Sequence, residues 1–132
     1  MWLFCEQGFF SVTQAPGKPG MVQVRARRRE DLEALAKRFV SAQRPIRATP
    51  ERDYPYRIVM DQVQWSDILA SLALDIDYTN FKDRVHEVDP DPERASAYLS
   101  VWAIMARFGG QAVDRAKRRS KVRGKWQTKT LL

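Results

Sequence analysis

Asp75 and Asp77 in "DIDY", and His86, Glu87, Asp89, Asp91 and Glu93 in "HEVDPDPE", are the residue types here that suit acid–base or metal chemistry. Two carboxylates serve proton transfer or two-metal hydrolysis only where their oxygens converge. Two positions apart on a helix is about 200° of rotation, so there the pair diverges; it converges only on an extended segment. Capping of the following helix is the simpler role for Asp77, with Asp75 left in water. The acids of 86–93 are oxygen ligands of the kind Mg²⁺, Mn²⁺ or Ca²⁺ takes. Yet the run lacks the glycine of an EF-hand loop, and its two prolines hold the acids extended. Caps and turns account for these residue types more simply, so no metal site is assigned. A Ser or Cys nucleophile needs a base, most often His, and the only His lies in this acidic run. G-x-S-x-G, P-loop and G-x-G-x-x-G patterns do not occur. No catalytic residue and no cofactor is assigned, and the expectation is a non-enzymatic protein.

Cations carry the stronger signal. The formal charge of +7 is unevenly spread: residues 1–60 hold +5, 61–114 hold −6 and 115–132 hold +8. Arg115, Lys117, Arg118, Arg119, Lys121, Arg123 and Lys125 crowd a stretch without acids, and Trp126 adds a ring able to stack on a base. Such a run attracts phosphate polymers through counterion release without a defined pocket. A solubilising disordered arm explains the same composition. A membrane-surface helix does not, because Val113, Ala116, Val122 and Trp126 make too thin an apolar stripe.

A second basic group lies in "VQVRARRR". Alternation puts Arg25 and Arg27 on the face opposite Val22 and Val24, and Arg57 on the next strand shares it. Either Phe9 or Phe10 must join them. Arginines beside an aromatic on an open sheet suit single-stranded RNA. An ordinary solvated sheet face needs polar residues there as well.

The elements that position these groups follow from periodicity. "WLFCEQGFFSVTQ" reads as a hairpin turning at Glu6-Gln7-Gly8, and residues 21–28 as a half-buried strand. Residues 30–40 read as a helix with acids in its first turn, and 41–55 as a Pro-broken connection. "YRIVM" (56–60) is a strand. Asp61 with Gln64 resembles a capping box for a helix carrying Trp65, Ile68, Leu69, Leu72 and Ile76. A short helix follows within 77–85. Asp91 caps a last helix beginning at Pro92 and ending at Gly109-Gly110. The predicted fold is therefore α+β: a largely antiparallel sheet, made of the N-terminal hairpin plus two further strands, with helices packed on one face. Residues 1–110 form the compact domain, and 111–132 a basic tail that is flexible when unbound. Cys5, the single cysteine, reads as a small core hydrophobe.

Taken together, "MWLF…GFFSV…VRARRREDLEAL" and "DYPYRI…DIDYTNFKDRV…YLSVWAIM" resemble a family of small uncharacterised bacterial proteins. These share a Gly-aromatic hairpin, a "DIDYxNFK" segment and a Tyr-x-x-x-Trp helix. The resemblance covers residues 1–108 and implies an old fold with an added tail. It implies no activity, cofactor or residue role.

The expected function is nucleic-acid association, DNA or RNA, through the basic arm. The alternative is a protein-interaction or regulatory module, with a homodimer as one form of it, in which Tyr98, Trp102 and Met105 meet the partner from the wide apolar face of helix 92–108. No apolar run reaches the ~20 residues needed to cross a bilayer and no signal peptide is evident, so the expected location is cytoplasmic, without a membrane partner.

Overall fold

The computed structural model describes residues 1–39 and 44–129, without the side chains of 111–113 and 124–129. It divides into two compact units, Met1–Val88 and Asp89–Leu132.

The first unit is a five-stranded antiparallel sheet carrying two layered helices. Its strands are β1 (Trp2–Cys5), β2 (Gly8–Gln14), β3 (Met21–Ala26), β4 (Arg47–Ala48) and β5 (Tyr56–Asp61), in the order β1-β2-β3-β5-β4. β4 was not anticipated. It is two residues long, inside the Pro-broken connection, and too short to show alternation. The register pairs Leu3 with Phe10, Val12 with Val24, and Val24 with Ile58. These positions, even-numbered in β2, β3 and β5, share one face by the twofold period of a strand, and that face is the core. Phe10, Val24, Ala26, Ile58 and Met60 are fully buried there.

Two helices cover this face: α1 (Arg29–Phe39) with Leu32 and Leu35, and α2 (Gln62–Leu74) with Trp65, Ile68 and Leu72. Asp61 caps α2 through Val63 N–H at 2.8 Å, the cap expected from the sequence. The helix stops at Leu74, leaving Ile76 outside it and exposed. A third helix, α3 (Phe81–Val88), buries Val85. His86 and Glu87 belong to this helix, not to an extended acidic loop.

The second unit is dominated by α4 (Pro92–Lys129), 38 residues long. Asp91 caps it by accepting from Glu93 N–H at 2.9 Å, and Pro92 takes the first helical position as expected. The helix end expected at Gly109-Gly110 does not occur. A terminating glycine sits at positive φ, and among the described residues only Gly8, Gly17 and Gly20 do so. Strong helix formers on both sides carry the helix through the pair. A Cβ at either glycine would meet nothing within 4 Å. Replacing both with Ala should therefore stabilise this stretch by about 1 kcal/mol per site, seen as added helical ellipticity at 222 nm and slower amide exchange near 109.

Candidate nucleic-acid interface

The cations of the arm stand on a helix. Arg115, Lys117, Arg118, Arg119, Lys121 and Arg123 are all exposed along α4. Lys125 and Trp126 lie outside the residues whose side chains are described. At 3.6 residues per turn, Arg115, Arg119 and Arg123 form one row along the helix. Lys117 and Lys121 form a second row roughly 160° away, and Arg118 lies between the rows on the side opposite Ala116 and Ser120. Ala116 and Ser120 lie between the rows on one side. The arm thus carries cations on opposite flanks and small residues on the strip between.

The sheet arginines are differently placed. Arg25, Arg27 and Arg57 do come together on the open face, and it is Phe9, not Phe10, that joins them. Their guanidiniums, however, are engaged within the protein. Arg25 donates to Ser11 Oγ at 2.8 Å and lies 4.8 Å from the centre of the Tyr54 ring; Arg27 lies 4.7 Å from the same ring and pairs with Asp53 at 2.9 Å. Arg57 donates to Gln23 Oε1 at 3.2 Å, Thr49 Oγ1 at 3.0 Å and the Tyr54 carbonyl at 3.2 Å. Desolvation, with Arg52 and Arg25 nearby, lowers its pKa from the ordinary guanidinium value. These contacts hold the 49–55 segment against the open face, with Tyr54 buried as its anchor. Tyr54 was missed in the sequence because its segment shows no period. Beside it, Phe4 stacks on Phe9 at 4.5 Å, and Trp2 meets Phe9 edge-on at 6.2 Å while remaining 69% exposed.

The carboxylates Asp75 and Asp77 do not form a catalytic pair. Asp75 does not stay in water. It receives Arg38, with Nη2 at 2.8 Å from Oδ1, and Gln7 Nε2 at 3.2 Å from Oδ2. Asp77 faces Arg84 at 3.3 Å and does not cap α3; Asn80 does, accepting from Asp83 N–H at 3.2 Å. Arg84 also grips Glu6 at 2.6 Å. The "DIDYTNFK" segment is thus a clasp on the hairpin tip, each acid held by a different guanidinium. Among the described residues, no group of His, Cys, Asp and Glu could hold a metal ion. A shallow cavity of about 270 Å³ beside the clasp is lined by Leu3, Cys5, Leu72, Ile76 and Tyr78 among others. Cys5 is half-buried and directs its thiol to the Gly8 carbonyl at 3.3 Å.

The clasp has an acid limb. The hydrogen bond from Arg38 lowers the Asp75 pKa below its ordinary value. A depressed carboxylate stabilises the fold above its unfolded pKa, about 3.9, and loses that contribution as pH falls through its folded value. The melting-temperature gap between wild type and Asp75→Asn should therefore be open at neutral pH and close in strong acid.

The partner-facing residues divide. Tyr98 is buried and accepts from Arg94 at 3.3 Å, so it is not available to a partner. Trp102 and Met105 are 54% and 56% exposed. No helix among the described residues is long and apolar enough to cross a membrane. No protein-family model, curated protein or solved structure matches this chain, so the functional reading rests on its own residues.

Proposed function

We propose that this is a non-enzymatic nucleic-acid-associated protein that binds duplex DNA through the basic half of α4. The observation that supports this reading is the pair of cation rows on opposite flanks of one continuous helix. A helix with its side chains is about 10–12 Å across, and the B-form major groove is about 12 Å wide. Inserted there, the rows Arg115–Arg119–Arg123 and Lys117–Lys121 approach the phosphates of both strands, while Ala116 and Ser120 allow close approach to the groove floor. A-form RNA has a major groove too narrow for side chains to read, which favours DNA over RNA. The strip facing the groove floor carries Ala116 and Ser120 while the cations flank it, so the contacts are mainly to phosphate and carry little sequence information. The sheet arginines contribute less, because their guanidiniums already serve the fold. Fluorescence anisotropy of the full chain on duplex DNA, duplex RNA and single strands tests this. The expected order is duplex DNA first, with steep salt dependence, and absence of salt-sensitive DNA binding refutes it.

A further inference from the structure

The N-terminal half of α4 carries an apolar face that the basic arm does not explain. Trp102, Met105 and Phe108 are 54%, 56% and 64% exposed. Their spacing of three residues puts them on one side of the helix, with Met105 at the centre. Three large exposed side chains in line form a seam that water disfavours. We propose that this seam pairs with the same seam of a second copy, the two α4 helices running antiparallel and centred on Met105. This inference does not rest on nucleic-acid binding: the pairing sets the arm's Lys117 and Arg119 against the partner, so the dimer and the groove-bound chain are alternative states of α4.

The charge along the helix selects both the partner and the direction. Glu93 and the capping Asp91 lie at one end of α4, with Asp89 before them held by Arg94, and the cations from Arg115 to Arg123 lie at the other end. A parallel pair would set basic arm beside basic arm and is opposed by repulsion. In an antiparallel pair centred on Met105, residue 105+k comes level with 105−k. Lys117 and Arg119 of one copy then come level with Glu93 and the capping Asp91 of the other. Arg119 continues the line of the seam, so it approaches Asp91 most directly. Trp102 comes level with Phe108, forming the mixed layer that an antiparallel helix pair uses, and the Met105 side chains meet on the twofold axis.

Sedimentation equilibrium of the full chain, with Trp102→Glu and Met105→Glu as variants, reads the association. The expected result is a wild-type dimer weakened at least about tenfold by either change, as loss of a central anchor does. Both sites are exposed, so the variants should keep the wild-type circular dichroism. Direction is read by oxidation in a Cys5→Ala background. Chains with Trp102→Cys mixed with chains carrying Phe108→Cys should cross-link more readily than Phe108→Cys alone. A wild-type chain that stays monomeric overturns the proposal. So does preferential Phe108→Cys self-linking, which would mean a parallel pair. A monomer in which Trp102→Glu weakens DNA binding would also overturn it and give the face to nucleic acid.

Discussion

Changing Arg115, Lys117, Arg118, Arg119, Lys121 and Arg123 together to Gln should abolish most of the affinity for duplex DNA at low salt. Each phosphate contact releases counterions and contributes about 0.9 to the slope of log affinity against log salt. The five row contacts give a slope of about −4.5, so raising salt fourfold costs the wild-type chain about 500-fold in affinity. The variant should show a nearly flat salt response, and the two binding curves should converge as salt rises. Gln preserves helix propensity, so lost affinity reports lost charge and not a melted arm. The rows make a finer expectation. Neutralising Arg115, Arg119 and Arg123 alone, or Lys117 and Lys121 alone, should each remove a share of the slope, because opposite flanks meet opposite strands. If one row carries the whole effect, the helix lies across the outside of the duplex and the groove geometry is wrong. If neither matters and salt-dependent binding persists, the sheet face with Trp2, Arg25 and Arg27 becomes the site.

What was legible in the sequence follows a physical division. The even-numbered core of β2, β3 and β5, the caps at Asp61 and Asp91, and the layering of helices on one sheet face were readable, because period and cap chemistry are local. The co-location of Arg25, Arg27 and Arg57 was readable for the same reason, and so was the need for one of Phe9 and Phe10 to join them, but not which. Their commitments were not, since Tyr54 reaches them from an aperiodic segment. The clasp was hidden likewise: Glu6 meets Arg84 across 78 positions and Arg38 meets Asp75 across 37. A carboxylate seen in sequence looks the same whether water or a distant guanidinium faces it. Gly109-Gly110 misled for another reason. A glycine pair is a stop signal only if the backbone turns to positive φ, and the helix-forming residues around it do not require that.

Gly8→Ala should be the most damaging single-atom-group addition in the first unit. Gly8 sits where the hairpin tip meets the start of α1. A Cβ built there would stand 2.7 Å from Asp31 Cγ, 2.8 Å from its Cβ and 2.9 Å from Oδ2. Those atoms belong to a short side chain near its own backbone, so they cannot swing aside as a lysine end would. Asp31 is only 4% exposed and accepts from Phe9 N–H at 3.1 Å. In sequence it reads as an acid complementing the helix dipole; in the structure it is also the pin joining α1 to the sheet. Forcing a methyl into this contact costs about 1–3 kcal/mol for overpacking. Displacing Asp31 leaves the half-buried Phe9 amide without this acceptor, at about 1 kcal/mol more. Urea denaturation should therefore show a loss of about 2–4 kcal/mol, a large part of a typical domain's 5–15 kcal/mol. Asp31→Gly should itself destabilise by losing the Phe9 hydrogen bond and by placing a glycine in α1, yet it removes every Asp31 atom that the Gly8→Ala methyl would meet. The double variant should accordingly be more stable than the sum of the single losses requires. Full additivity would mean that the two residues act separately, and that the hairpin tip is not held by this pin.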